Sequence, residues 1–376
     1  MQTAATGLVG INATVIGENP TGLGLYSIQV IRELDRLRND LLVYTSSPES
    51  LGPVRAHVIA VSPRLRPERR LRGHVARLVW LQTALRASAR RRRLGVLLHT
   101  VPEGVLATSV PQVTVVHDLV PMRYPAQYPR QRSYFRFLVP RLLRASRMVI
   151  ADSQSTRRDV VAMYGIEAGT VRVIHPGYDA RAYFSNGNAA ARGGHGDGYF
   201  VYVGNLLPHK NVLGLLDAFA ILRRRRACRL IIRGSGRADY VHAVRERIET
   251  TGLADTVRIL DYLPEPALRD LYAHAVGLIV PSLHEGFGLP VLEAMACGVP
   301  VITSTSPALA EVAGDASLMI DPHDAAGLAR TMDRLLTDGA LSADLRQRGL
   351  KRVQSFGWGQ TAEQISRVLD EVLATA

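Results

Sequence analysis

Runs rich in Val, Ile and Leu recur along the whole chain and alternate with segments of helical period. Neighbouring parallel strands need a crossover of a dozen or more residues, usually a helix, so this alternation restricts the chain to an α/β architecture with parallel sheets. Strands are predicted over 8–16, 41–46, 57–62, 96–100, 113–118, 148–153 and 171–177 in the first half. In the second half they are predicted over 199–205, 229–235, 257–263, 277–282, 299–304 and 317–320. A chain of 376 residues is too long for one ordinary core, and two doubly wound, Rossmann-like domains are the economical arrangement. The stretch SNGNAAARGGHGDG, residues 185–198, has no apolar periodicity and is dense in Gly, which predicts a flexible linker. The expected division is a first domain over 1–185, a linker over 186–198, a second domain over 199–357 and a C-terminal helical segment over 358–376.

Composition narrows the class of molecule. The chain is 47% hydrophobic and 21% charged, has no run of about 18 apolar residues, and lacks a basic then apolar N-terminus. A cytoplasmic globular protein is expected. Cys228 and Cys297 stand far apart in apolar surroundings, which suits buried thiols rather than a disulfide or metal framework. The net charge of +13 is uneven: residues 1–185 hold 26 Arg and 12 acids, a net of +14, and residues 186–376 hold 20 basic and 21 acidic residues, a net of −1. Something anionic is therefore expected to meet the first half. Residues 64–93 carry eleven Arg and one acid around the apolar VARLVWLQTAL, and RQRSYFRFLVPRLLRASR, residues 130–147, mixes six Arg with aromatic residues. Such segments suit an anionic lipid surface or a nucleic acid, or else form solvated helix faces.

HEGFGLPVLEAMACGVPVI, residues 284–302, runs from one predicted strand to the next and forms their crossover. Pro290 suits the first turn of a helix and Gly298 the position just past its end. The N-terminus of that helix then lies at the carboxyl edge of the sheet, the side on which open α/β sheets bind ligands. Unpaired N–H groups from Phe287 to Val291 and the helix dipole favour an anion, and Gly286 and Gly288 allow close backbone approach. A phosphate is the natural guest. Glu285 in the loop and Glu293 in the first helical turn would be repelled by it unless they bind neutral hydroxyls on either side, as carboxylates do with vicinal diols. The alternative is that both acids merely favour the helix dipole.

Glu285, seven intervening residues and Glu293, within EGFGLPVLEAMACGVPV, resemble the signature of the retaining GT4-family glycosyltransferases (glycosyl transferases group 1). The likeness is to bacterial mannosyl- and rhamnosyltransferases of polysaccharide synthesis; it covers nearly the whole chain and is most specific over 199–304. It implies the GT-B fold, two Rossmann-like domains facing across a cleft, with the C-terminal helix returning to the first. Nucleotide-sugar binding is implied for Gly204, Asn205 and Lys210 in YVGNLLPHKN, Gly234 in RGSG, and Leu263 in DYLPEPALRDLYAHA. The same holds for Gly286, Phe287, Gly288, Leu289 and Glu293. Members of the family commonly carry an Arg where this chain has Asn205, so less charge is expected on the diphosphate. Lys210, one of only two lysines, can reach a diphosphate as a mobile point charge, or stand as a surface lysine. Gly22 and Gly24 in PTGLGLYS resemble the loop that closes over the donor phosphates. His117 in VVHDLVP, beside Asp118, resembles the histidine that contacts the transferred sugar, although a strand-end histidine is often structural. Ser153 or Ser155 in ADSQSTRRDV can serve simply as a helix N-cap.

The resemblance implies hexosyl transfer with retention, with His117, Glu285 and Lys210 as the catalytic residues. Metal-dependent sugar transferases usually hold an ion with Asp-x-Asp, a triplet absent from this sequence, so neither metal nor cofactor is expected. Lys210 and the helix N-terminus would stabilise the leaving diphosphate instead. The expected donor is GDP-mannose and the expected acceptor a glycan or polyprenyl-diphosphate-linked glycan. The Arg-rich first domain is expected to meet the inner face of the membrane, with no nucleic acid as partner. Two other readings stand beside this one: a catalytically weak nucleotide-binding scaffold, suggested by Asn205, and a nucleic-acid-binding protein using the basic half.

Overall fold

The computed structural model describes residues 7–20, 22–185 and 198–375. The chain divides into two compact units, Met1–Gly177 with Trp358–Ala376, and Tyr178–Gly357. Each is built on one parallel sheet, and the predicted strands form it. Most stop one to four residues earlier than the apolar runs predicted. The first strand, for example, ends at Asn12, whose side chain accepts from Thr14 Oγ1 (2.8 Å) and donates to the Glu103 carbonyl (3.1 Å).

The first unit contains β1 (Leu8–Asn12), β2 (Leu41–Thr45), β3 (His57–Ala60), β4 (Leu94–His99), β5 (Gln112–Val116), β6 (Met148–Ala151) and β7 (Val171–Val173). They lie in the order β3-β2-β1-β4-β5-β6-β7, all parallel. The strand order reverses between β1 and β4, which opens a crevice at their carboxyl ends. Helix Gly22–Leu37 covers one face, with Ile31 and Leu34 buried against Val9 and Ile11. Helix Trp358–Ala374 packs beside it through Ile365, Leu369 and Val372, and its Asp370 pairs with Arg38 at 2.6 Å.

The second unit contains β8 (Tyr199–Val203), β9 (Arg229–Arg233), β10 (Val257–Leu260), β11 (Gly277–Val280), β12 (Val301–Ser304) and β13 (Ser317–Ile320). Their order, β10-β9-β8-β11-β12-β13, repeats the doubly wound pattern and places the reversal between β8 and β11. The expected boundary at 185 is corrected. Tyr178–Ser185 belong to the second unit, because Tyr183 is buried in its core and meets Tyr272 edge-on at 6.1 Å. Loss of periodicity marked where the helical pattern ends, not where packing changes hands. The expected linker lies outside the described residues except for Gly198.

Both cysteines are buried free thiols. Among the described residues no helix is long and apolar enough to cross a membrane, and no group of three or more His, Cys, Asp or Glu could hold a metal ion.

Candidate active site

In the second unit the strand reversal brings together the loops after β8 and β11. The first carries a tight turn, Pro208–Lys210, ended by Asn211 in the left-handed region (φ 57°). The Asn211 amide donates to the carbonyls of Pro281 (3.2 Å) and Pro322 (2.7 Å), and the Leu283 N–H donates to the His209 carbonyl (2.8 Å). These bonds sew the two loops together. Lys210 Nζ consequently donates to both oxygens of Glu285, at 2.7 and 2.6 Å, and Ser282 Oγ donates to Oε1 at 2.7 Å. Burial acts to raise the Glu285 pKa, but Lys210 and Ser282 outweigh it and hold the carboxyl below its ordinary range. His209, almost fully buried, is kept neutral: burial first, and then Lys210, bring its pKa down to about 4.

The crossover helix after β11 spans Leu289–Ala296, with Pro290 in its first turn and Gly298 just past its end at φ 70°. Gly288 precedes it at φ 129°, where a Cβ would lie 2.8 Å from Leu309 Cδ2, so glycine is required on both counts. Two expectations are corrected here. Glu293 sits one residue past the first turn, because the helix begins only at Leu289. The row of open N–H groups is also shorter than expected: Pro290 has none, and the Val291 N–H is spent on the Gly288 carbonyl (3.0 Å). Phe287 turns its ring into the core against Phe356 at 6.0 Å.

The two acids of the signature have different surroundings. Glu293 accepts from Tyr272 Oη at 2.9 Å, and burial pushes its pKa up to about 7 against the opposing pull of Tyr272 and Arg233. Glu285 is therefore a firm anion, whereas Glu293 is half ionised near neutrality. The loops after β9 and β10 lie alongside. Gly234 is buried so close to the Gly204 carbonyl that a Cβ would overlap it, which binds these two glycine turns into one surface. The Arg233 guanidinium lies over the exposed ring of Tyr262 (5.6 Å), next to half-buried Leu263. Asn205 is exposed, and its carbonyl accepts from Tyr202 Oη (2.9 Å).

In the first unit, Gly22 and Gly24 do not lie in a loop: they occupy the first turn of helix Gly22–Leu37, with Gly24 packed against Pro20. Gly22 takes φ 27°, where glycine is favoured, and a Cβ on Gly24 would lie 3.0 Å from Pro20 Cβ. His117 follows β5. Its Nδ1 lies 2.7 Å from Asp152 Oδ2 and its Nε2 2.8 Å from the Thr100 carbonyl. Both ring nitrogens thus lie within hydrogen-bonding distance of groups of the protein. Burial would lower its pKa, but Asp152 and the Thr100 carbonyl raise it overall. Ser153 is the N-cap of helix Gln154–Tyr164, accepting from the Thr156 N–H at 3.1 Å.

The Arg-rich segment 64–93 is not uniformly solvated. Arg77 is buried and makes a bidentate pair with Glu103 (2.8 and 2.9 Å), joined by His74 at 3.0 Å. On helix Arg70–Trp80 the side chains of Leu71, Val75 and Val79, four residues apart, are each at least half exposed. The partners Ser282, His209, Tyr272, Arg233 and Asp152 were not singled out from sequence. His209 and Ser282 adjoin quoted site residues and could have been; Tyr272 and Asp152 reach theirs from 21 and 35 residues away.

Residues 190–352 match the family model described as glycosyl transferases group 1, and residues 20–182 match that of glycosyltransferase family 4. O-antigen chain mannosyltransferase B of Escherichia coli is 30% identical over 264 residues, covering 67% of this chain and 68% of that protein. O-antigen chain mannosyltransferase RfbU of Salmonella typhimurium is 26% identical, covering 84% and 87%. Among solved structures, Anabaena HepE in complex with UDP-glucose superposes with a TM-score of 0.76 at 20% identity, over 97% of this chain and all of that one. Sucrose-phosphate synthase from Thermosynechococcus elongatus gives 0.75, also at 20%, over 99% of this chain and 100% of that chain. With its two parallel-sheet Rossmann-like units and the Lys210–Glu285 pair where the strand order of the second reverses, the chain belongs to the glycosyl transferases group 1 and is a GT-B glycosyltransferase of the family 4 type.

Proposed function

We propose that this glycosyltransferase moves a hexose, with GDP-mannose as the first candidate donor, to a growing glycan or polyprenyl-diphosphate-linked glycan in cell-surface polysaccharide synthesis, with retention at the anomeric carbon. The names of the O-antigen mannosyltransferase relatives support the sugar and the pathway class. The observation that carries the chemistry is the Lys210–Glu285–Ser282 cluster beside a helix N-terminus at the strand reversal. Lys210 has three N–H groups. Two account for the bonds to Glu285, and the third is available to a diphosphate oxygen.

Glu285 acts in this reading as a hydrogen-bond acceptor for sugar hydroxyls. A carboxylate already bonded to a lysine and a serine, and held below its usual pKa, is a weak nucleophile, which argues against a covalent glycosyl-enzyme. Transfer then follows a front-face path. The bond from the anomeric carbon to the phosphate oxygen breaks as the acceptor oxygen bonds to the same face, and the acceptor proton passes to the departing phosphate. Lys210 and the helix N-terminus stabilise that phosphate in place of a divalent cation, which accords with the lack of Asp-x-Asp in the sequence. Glu293 receives the ribose hydroxyls, with Gly204, Gly234 and Leu263 beside the nucleotide; roles in transfer for Gly22, Gly24 and His117 rest on the family resemblance alone.

The acceptor side is proposed to lie at an anionic membrane surface. The exposed Leu71, Val75 and Val79 stripe within the Arg-rich segment supports this, since apolar residues flanked by Arg suit the lipid headgroup boundary. A thermal-shift screen of GDP-, UDP-, dTDP- and ADP-sugars tests the donor, because a ligand that binds only the folded state raises Tm. Transfer measured with the best donor should vanish in Glu285→Ala; donor binding without any wild-type transfer would instead favour the scaffold reading. Sedimentation with anionic vesicles, lost when Leu71, Val75 and Val79 become Ser, tests the membrane surface.

A further inference from the structure

Both arginine-dense stretches of the first unit are moored at Pro102 and Glu103. From helix Arg70–Trp80, Arg77 clamps the Glu103 carboxylate at 2.8 and 2.9 Å, and His74 Nδ1 lies 3.0 Å from it. From the helical segment that runs from Pro129 to Leu138, the Tyr134 hydroxyl donates to the Pro102 carbonyl, and its ring meets His74 edge-on at 4.8 Å. These links hold the two elements side by side. The second element contains a widened turn: the Val139 N–H bonds to the Tyr134 carbonyl five residues back, and Pro140 has no N–H with which to continue that ladder. The Phe135 carbonyl accepts from Tyr164 Oη at 2.7 Å instead. Tyr134 and Phe135 pack against the core, whereas Phe137 points out. It is 55% exposed, and the Arg136 guanidinium lies 5.4 Å from the centre of its ring.

We propose that Phe137 and the arginines around it are the second half of a two-element docking face for an anionic phospholipid bilayer, the first half being the Leu71, Val75 and Val79 stripe. The proposal rests on the reading that the acceptor side meets an anionic membrane, and it adds a second insertion point to that surface. Residues 69–80 and 129–147 contain no acid. Arg69, Arg70 and Arg72 are exposed on the first element, and Arg130, Arg132 and Arg136 on the second. The partner must therefore be anionic, and it must also take up four exposed apolar side chains. A bilayer does both, since its phosphates lie directly over acyl chains. A nucleic acid supplies the phosphates but no apolar layer for Leu71, Val75 and Val79. The Arg136–Phe137 pair suits the boundary, with the guanidinium at headgroup depth and the ring below it. Because the two elements are held together at Pro102 and Glu103, their insertion points act as one bivalent contact, and loss of either weakens the whole.

Vesicle sedimentation of the full-length protein tests this, with phosphatidylglycerol vesicles against phosphatidylcholine vesicles. Phe137→Ser should weaken binding to phosphatidylglycerol about tenfold, the scale of one partly buried aromatic ring, and leave transfer to a water-soluble acceptor unchanged. A second variant reports position directly. Phe137→Cys carrying a polarity-sensitive dye, with Cys228 and Cys297 buried and so spared from labelling, should show a blue shift with phosphatidylglycerol and none with phosphatidylcholine or RNA. Wild-type binding that Phe137→Ser leaves intact, with a dye that stays in a watery environment, overturns the proposal and leaves the first element as the membrane contact. A dye shift with RNA alone overturns it in favour of a nucleic-acid face. Failure of the wild-type protein to sediment with phosphatidylglycerol at low salt removes the membrane reading itself, and the proposal with it.

Discussion

The two units share a strand order but use the polar residues at their carboxyl edges in opposite ways. In the first unit these residues bond to one another. Thr14 Oγ1 donates to Asn12 Oδ1 (2.8 Å), the Asn12 amide donates to the Glu103 carbonyl (3.1 Å), Ser27 Oγ donates to Thr100 Oγ1 (2.8 Å), and Glu103 is clamped by Arg77. In the second unit Lys210 and Glu285 keep side chains 20% and 14% exposed, and Asn205 and Tyr262 reach solvent. A buried network whose members satisfy one another binds a ligand only by breaking itself, whereas a pair that keeps part of its surface in solvent has bonds left to offer. Of these groups, those with bonds left for a ligand are Lys210 and Glu285 of the second unit.

Substitutions at the two edges should therefore fail in different ways. The largest effect is expected in the first unit, where Glu103→Ala strands a buried guanidinium and should cost about 3–5 kcal/mol in urea unfolding while leaving the transfer rate per folded molecule nearly unchanged. Loss of transfer without loss of stability would break the comparison. Its pH dependence follows from its cause. Burial opposes ionisation of Glu103, but Arg77 and His74 bring its pKa down to about 2. A depressed carboxyl stabilises the fold fully above the unfolded-state pKa, so the contribution should fade only as pH drops from the ordinary carboxylate range towards 2.

Lys210→Ala in the second unit should lower kcat by roughly 10²–10³-fold, with a smaller loss of stability than Glu103→Ala because Glu285 keeps some contact with solvent and its bond from Ser282. Glu293 sharpens the contrast through pH. In the proposed function its ionised form accepts two ribose hydroxyls, and a pKa of about 7 then means that nucleotide affinity should rise roughly tenfold between pH 6 and pH 8. Calorimetric titration checks this, and Glu293→Gln should flatten the profile. The folded-state pKa is raised, so ionisation should also destabilise the unliganded protein as pH climbs from the carboxylate range through about 7. The smallest effect is expected at exposed Asn205, where Arg should tighten diphosphate binding by only about two- to fivefold, the scale of a solvent-screened ion pair.

Much of the site was legible without coordinates where the signal is local. Gly288, Pro290 and Gly298 are demanded by backbone geometry at a helix start and end, and such demands show in one-dimensional spacing. Glu285 and Lys210 were named one at a time, but their ion pair was not, because it joins positions 75 residues apart through loops that the sheet alone brings together. The partners of His117 were hidden for the same reason: Thr100 and Asp152 lie 17 and 35 residues away, after neighbouring strands. Arg77 shows the limit of charge counting, since nothing within residues 64–93 distinguishes it from the solvated arginines around it.

The amino-acid order by itself determined the alternation of strands and helices, the two doubly wound sheets and the turns that require glycine or proline, since these depend on periodicity and on φ values allowed to single residues. Only the tertiary structure decided which ionisable groups face one another, where the first unit ends at Gly177, and which carboxyl is a firm anion and which half ionised. Those outcomes depend on burial and on partners a few ångströms away, and folding sets both across distances in the chain that no local pattern encodes.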